Sequence, residues 1–488
     1  MSAGAPGAKK PNLTSVTTIN EDGSHFTLHP ADVGGRFTLA RRVVALVILA
    51  VYVLLPWITI NGHPAVFLDV AERRFHLFGL TFLARDLWLG FFLISGLGFS
   101  LFFITSLFGR LWCGWTCPYT LFLEHVYRRI ERWIDGDATA RRKLDRAPWD
   151  SAKITKRVIK HGIYLLVSAI VAHIFLSYFV SIPRLYSYMK ESPLEHFGAF
   201  AVVAFITLAL YFAFSWFREQ FCIILCPYGR IQSALTDDDT TVIGYDEDRG
   251  EPRGKKGSEG AGDCINCNRC VQVCPTGIDI RNGLQMECIG CAACVDACDA
   301  IMEKVDRPKG LVRYDSLNGL RGQRRRILRP RIFVYSLMLA LGASVLGFAL
   351  TKVHDVDMVA TRMRGMPYFV DTDAVRNQFQ LRLLTKRNVP TTFTVDLKDA
   401  PSWLRASGCE GGVTVDAQGE QQVTLVLFAS KEEYIEEYTG SMEVTIRTKS
   451  EPGGTVIERK VEFLGPDPRM FQDLETESKK PDENTSQK

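Results

Sequence analysis

The sequence predicts a multi-domain membrane protein: an α-helical transmembrane bundle of five spans, a cysteine-rich insert ahead of the fifth, and a C-terminal β-sandwich. Three patterns predict it. Five uncharged runs, residues 43–60, 87–108, 162–182, 197–217 and 332–351, reach or approach the roughly 20 residues that cross a bilayer as a helix. Twelve of the 13 cysteines fall in four tight groups. Beyond residue 351 the long apolar runs give way to short alternating segments of the kind that form strands.

Backbone in lipid must satisfy its own hydrogen bonds, so the five runs are expected as helices. The first contains Pro56 and the third His173. Orientation follows from Lys and Arg in the flanks. Arg41 and Arg42 precede the first run, twelve Lys or Arg lie in residues 110–161, and Arg321, Arg324, Arg325, Arg326, Arg329 and Arg331 precede the fifth. The other connections are poorer, with Arg73, Arg74 and Arg85 in one and Arg184 and Lys190 in the other. The expected topology is a multi-pass protein of a bacterial inner membrane, with the N-terminus and the insert in the cytoplasm and the C-terminal domain in the periplasm. Arg73 and Arg74 conflict mildly, and an amphipathic segment lying at the interface accommodates them. No secretory signal is expected, since the first apolar run begins only at Val43. A net charge of +4 gives no pointer to nucleic acid.

Between the spans, residues 1–40 read as a loosely ordered tail and 41–236 as a four-span membrane domain. Residues 237–262, rich in charge and glycine, read as a linker into the cysteine block at 263–304, and 305–331 as a basic linker. The fifth span follows at 332–351. Residues 379–384, 391–397, 412–416, 421–428, 441–449 and 456–463 are expected as strands of a sandwich covering 352–465. That sandwich is of the immunoglobulin-like kind, without the Cys…Trp…Cys core of antibody domains. Residues 466–488 read as a disordered tail, and the solitary Cys409 as a structural cysteine.

The cysteine block is DCINCNRCVQVCPTGIDIRNGLQMECIGCAACVDACDAI. Cys264, Cys267, Cys270 and Cys274 repeat as Cys288, Cys291, Cys294 and Cys298. Three closely spaced thiolates wrap one iron–sulfur cubane, and the fourth points away to the other cluster. The expected pairing is therefore crossed, with Cys264, Cys267, Cys270 and Cys298 on one [4Fe–4S] cluster and Cys288, Cys291, Cys294 and Cys274 on the other. Zinc sites use two CxxC pairs parted by a longer loop, and a disulfide framework would scatter its cysteines. The block is thus a two-cluster ferredoxin-like insert. Asp299 stands where such repeats carry proline, which bears on the reduction potential and not on ligation.

The other four cysteines form a repeated motif. Cys113–Cys117 and Cys222–Cys226 both read C-x3-C-P-Y and both follow an uncharged span. A spacing of four puts two thiols on one helix face, and the proline breaks the helix at the second cysteine. Two pairs brought together would offer four soft sulfur ligands, suited to Cu(I) and also to zinc. Dithiol–disulfide exchange and plain buried cysteine remain open readings of the residues. His173, His125, Glu124 and Met189 are weaker candidates, each with an ordinary structural reading beside it.

Taken together, the two C-x3-C-P-Y motifs, the doubled cysteine block and the fifth span with its β-rich tail resemble the FixG/RdxA/CcoG family of cytochrome c oxidase accessory proteins, over nearly the full chain. The resemblance implies an immunoglobulin-like C-terminal domain. It also implies a role in maturing cbb-type cytochrome c oxidase by reducing Cu(II) to Cu(I). In that expectation a cytoplasmic electron donor feeds the clusters. Copper, as substrate, is held by Cys113, Cys117, Cys222 and Cys226, and Cu(I) passes to a copper exporter or chaperone and the oxidase assembly factors. Two other functions are compatible with the sequence. One is an electron conduit between quinol and a partner reductase, as in the related NapH-like proteins. The other is an assembly scaffold whose clusters are structural or sensory.

Overall fold

The computed structural model describes residues 26–467 apart from 72, 256–257, 352–353, 372–373 and 438–440. The expected tail at 466–488 lies almost wholly outside the described residues, as do residues 1–25. The described chain divides into two compact units at Phe348/Ala349.

Five helices are long and apolar enough to span a membrane: Arg36–Trp57, Trp88–Phe108, Ser151–Leu176 and Phe197–Phe217 in the first unit, and Pro330–Leu350 ending at the boundary with the second. Two boundaries differ from the apolar runs. The first helix starts earlier and its α-helical part ends at Leu54, because the Pro56 ring excludes a continuing helix. Thr59–Ile60 instead pairs as a short strand with His63–Pro64. The third helix begins well before its apolar run, at Ser151, where the Asp150 carboxylate accepts from Lys153 N at 2.8 Å and caps the orphan amides. The third and fourth spans pack around Tyr164 and Phe214, with Leu123, Tyr127 and Ile130 in the same buried cluster.

The Arg73–Arg74 stretch is a three-stranded antiparallel meander, Val66–Asp69, Arg74–Leu77 and Leu80–Leu83. It touches the bundle where Leu68 N donates to Tyr178 O at 2.7 Å. The segment expected as amphipathic at the interface is thus built of strands, whose ladders satisfy their own backbone.

Both expected linkers prove to be structure. Val242–Tyr245 pairs antiparallel with Val312–Asp315, so the insert is closed by a two-stranded sheet formed from the segments on either side of the cysteine block. Ile243, Tyr245, Leu311 and Val312 are buried with the block's own apolar residues. The glycine and charge density of 237–262 hid a short strand. The N-terminal stretch is also tied down from residue 28 onward. Ala31 N donates to Gln272 O at 2.8 Å, Thr38 donates to Asp296 at 2.7 Å, and Ala31 and Val33 pack on the insert. Asp299, at the position of the expected proline, accepts from Gly310 N at 2.9 Å and anchors the loop back to the sheet.

The second unit is a sandwich of two antiparallel sheets. One runs Leu404–Ser407, Glu420–Ser430, Ala374–Thr385, Val356–Arg362, with Phe369–Val370 also on the Ala374–Thr385 strand. The other runs Val413–Val415, Thr391–Lys398, Met442–Glu451, Val456–Phe463. All six expected strands are present, and Val356–Arg362, Phe369–Val370 and Leu404–Ser407 join them. Inward residues alternate along Ala374–Thr385, with Val375, Phe379, Leu381 and Leu383 buried. Cys409 is buried in this core and is not disulfide-bonded.

Candidate redox centre

The cysteine repeat is matched by a repeat of backbone conformation. Asn266 and Asn268 take φ of 55° and 56°, and their counterparts in the second half of the repeat, Gly290 and Ala292, take 66° and 57°. Left-handed residues turn the chain sharply enough for successive thiols to face one point. Short helices follow each, Arg269–Gln272 and Ala293–Lys304. One cavity is lined by Cys264, Cys267, Cys270 and Cys298. A second is lined by Cys274, Cys288, Cys291 and Cys294, with Cys270 also on its wall. All these thiols are free. Among the described residues no three Cys, His, Asp or Glu groups are already gathered at a single ion's position, whether in the insert or at the two C-x3-C-P-Y motifs. Four thiols lining each void fit the body of a cubane. Burial pushes the Cys288 and Cys298 thiols up to about 12, so they stay protonated until a cation takes the proton's place.

The two C-x3-C-P-Y motifs share one geometry. Each span ends on a residue with positive φ four places before the first cysteine: Gly109 at φ 54°, ψ −128° and Arg218 at φ 49°, ψ −125°. Each second cysteine, Cys117 and Cys226, is extended and directly precedes a helix that begins at the proline. The helix breaks where the proline requires it to. The motif tyrosines reach into the opposite half. Tyr119 OH donates to Ala213 O at 3.0 Å and to Arg218 O at 2.5 Å, and Tyr228 OH bonds Thr105 Oγ1 of the second span. This exchange clamps the halves together and brings all four thiols within electrostatic reach of one another. Burial, the first cause, pushes Cys113 and Cys222 up to about 12. Cys117 and Cys226 raise both further, and Arg110 opposes.

The first C-x3-C turn sits directly on the insert. A Cβ on Gly114 would lie 2.6 Å from Ile289 O and 2.9 Å from Cys291 N and Cα. Backbone therefore meets backbone between the first C-x3-C turn and the Cys288–Cys291 loop. Cys113, Ile289 and Cys291 share one buried cluster. Trp115 Nε1 donates to Tyr314 OH at 3.0 Å, and Tyr314 OH donates to Gly290 O at 2.6 Å.

Of the weaker candidates, Glu124 is paired with Arg128, His125 is held low, to about 4, by burial and by Arg41, and His173 Nδ1 donates to Ala169 O at 2.7 Å within its own helix. Met189 is exposed beyond the third span. None of them joins the four thiols.

A buried charge network beneath the site went unread in the sequence. Arg128 pairs with Glu124 and, at 2.9 Å, with Glu219, and both terminal nitrogens donate to Pro275 O at 3.2 Å. Glu131 holds Arg218 and Arg141. Aligning the two halves of the duplication would have flagged Arg218, because it occupies the place where the first half has a glycine.

Comparison with known proteins follows this division. A profile for a 4Fe-4S dicluster domain matches residues 217–317, one for a 4Fe-4S binding domain matches 89–136, and one for the Ig-like fold at the C-terminus of FixG matches 346–466. Protein RdxA of Cereibacter sphaeroides is 35% identical over 408 residues, 80% of this chain and 85% of its own. The chain belongs to the FixG/RdxA family. RdxB of the same organism is 36% identical over 75% of this chain and 81% of its own. The nitrogen fixation protein FixG of Rhizobium meliloti is 32% identical over 83% and 86%. As a FixG/RdxA protein with five candidate membrane helices, two 4Fe-4S profiles and an Ig-like domain, it is an iron–sulfur electron-transfer protein of the membrane.

Proposed function

We propose that this chain reduces Cu(II) to Cu(I), with copper as substrate on Cys113, Cys117, Cys222 and Cys226. The seating of Gly114 on the Ile289–Cys291 backbone carries this reading, since it leaves no layer of side chains between the first C-x3-C turn and the insert. Cys264, Cys267, Cys270 and Cys298 would hold one [4Fe–4S] cluster and Cys274, Cys288, Cys291 and Cys294 the other. When bound, the two clusters supply one-electron storage beside the copper site. The thiols select the softer Cu(I) over Cu(II), and burial of Cys113 keeps water from the product. In this reading the insert is cytoplasmic and the Ig-like domain periplasmic, in a bacterial inner membrane. Cu(I) passes to an exporter or chaperone that serves cbb-type oxidase assembly, as the family resemblance implies.

Alanine at Cys113 or Cys226 is expected to lower Cu(II) reduction, followed with a Cu(I) chelator, by about a hundredfold with cluster absorbance retained. Wild-type rates in both variants would refute the assignment. A second reading is favoured by the 4Fe-4S binding profile, which spans Cys113 and Cys117 but none of the insert's eight cysteines. There the four thiols hold a third cluster. Anaerobic iron analysis separates the two readings, at about eight irons per chain against about twelve.

A further inference from the structure

A cavity opens at the end of the second span, where Phe108 meets the insert. Arg110, Gln232, Thr241, Leu284, Met286 and Cys288 are among the residues that line it. Leu284 is 47% exposed and Met286 57%. Exposed apolar side chains beside the end of a spanning helix suit entry from a bilayer.

Two of the lining groups lack partners. Gln232 is 1% exposed. Its Oε1 accepts from the Cys113 thiol at 3.9 Å, while its Nε2 finds no partner among the described residues. Thr241 Oγ1 is likewise buried without a partner. Buried donors are ordinarily satisfied, and an orphan calls for an occupant. The occupant must be apolar enough to pass Leu284 and Met286, must offer acceptor oxygens to Gln232 and Thr241, and must tolerate a mostly apolar wall. A hydrocarbon chain has no such oxygen, and a free phosphate, though Arg110 could meet it, makes no use of the exposed Leu284 and Met286.

We propose that this cavity binds the headgroup of a lipid-soluble quinone, with ring oxygens on Gln232 Nε2 and Thr241 Oγ1 and the ring edge beside Cys288. The proposal deepens the copper-reduction reading by naming the chemical class of the electron donor, and in that respect it rests on that reading. The balance closes with Cu(II) as oxidant. One hydroquinone loses two O–H bonds and gains two C=O bonds, two Cu(II) become two Cu(I), and two protons leave to water.

The test is photolabelling of the purified full-length protein, without copper, by an azido-benzoquinone with a short alkyl tail. Label is expected in the peptides around residues 231–243 or 284–290, displaced by excess unlabelled quinone. Gln232→Leu and Thr241→Val are each expected to cut labelling at least fivefold with iron content unchanged. If Gln232→Leu loses iron, Thr241→Val decides alone. Label elsewhere, label that unlabelled quinone does not displace, or full labelling of Thr241→Val, as water filling the cavity would give, overturns the proposal. Copper is absent throughout, so failure here is scored apart from failure of copper reduction.

Discussion

Adding one methyl group at Gly114 is expected to slow Cu(II) reduction by tenfold or more while both clusters remain bound. The new Cβ would sit 2.6 Å from Ile289 O and 2.9 Å from two backbone atoms of Cys291. Those neighbours are main chain on a loop fixed by Cys288, Cys291 and the left-handed Gly290, so they have no rotamer by which to give way. The halves must part instead, widening the gap between Cys113 and the insert. Displacements of about 1 Å at a reacting centre cost on the order of a hundredfold, so tenfold is a conservative expectation. Gly162→Ala is the control, because a Cβ there meets nothing within 4 Å. Reduction of Cu(II) by dithionite-reduced protein is the measurement, with absorbance at cluster wavelengths read on the same sample. If Gly114→Ala and Gly162→Ala run at the same rate, the backbone contact is not where the two centres communicate.

Much of this site could be read from residue order because its chemistry is periodic. The thiol spacing of Cys264–Cys274, repeated in Cys288–Cys298, made the two-cluster insert legible, and C-x3-C-P-Y the helix break at each proline. Alternation along 379–384 and the strands after it pointed to the sandwich for the same reason, and the structure extends the first of them back to Ala374. What escaped had no period. The strand Val242–Tyr245 is short and lies in a segment dense with glycine and charge, and only its partner Val312–Asp315, on the far side of the cysteine block, makes it a strand. The seating of Gly114 depends on a contact with Ile289 and Cys291, far away along the chain. Gln232 lies in a helix whose apolar pattern says nothing of the cavity beside it. The Arg128 network was hidden by its own chemistry, since Glu and Arg in a basic cytoplasm-type connection read as solvated charge until burial is known.

That network carries the largest stability effect in the first unit. Arg128 is 1% exposed and is the shared partner of Glu124 and Glu219, and its two donors to Pro275 O fix the residue after Cys274. Arg128→Met leaves two carboxylates buried without their cation, a loss of about 3–5 kcal/mol. Arg128→Lys recovers only part of it, because an ammonium cannot fork between two carboxylates and a carbonyl. Arg128→Met combined with Glu124→Gln and Glu219→Gln should lie well above the single variant, since no charge is then stranded. The same network sets the acid limit. Burial would raise Glu131, but Arg218 first, then Lys160, Arg128 and Arg141, hold it down to about 2. A carboxylate depressed in the folded state contributes stability above its unfolded value near 4.5 and loses it as pH falls toward 2. Thermal unfolding in detergent, followed by helical circular dichroism, should therefore show a midpoint insensitive to pH from 7 to about 5 and falling below about 4.5. In Arg128→Met the gap to wild type should narrow with acid, because the Glu124 carboxylate that Arg128 otherwise holds down is there relieved by protonation instead of losing a pair. A gap that stays constant from pH 7 to about 4 would mean that Arg128 acts by packing alone and that its charge pairs contribute nothing.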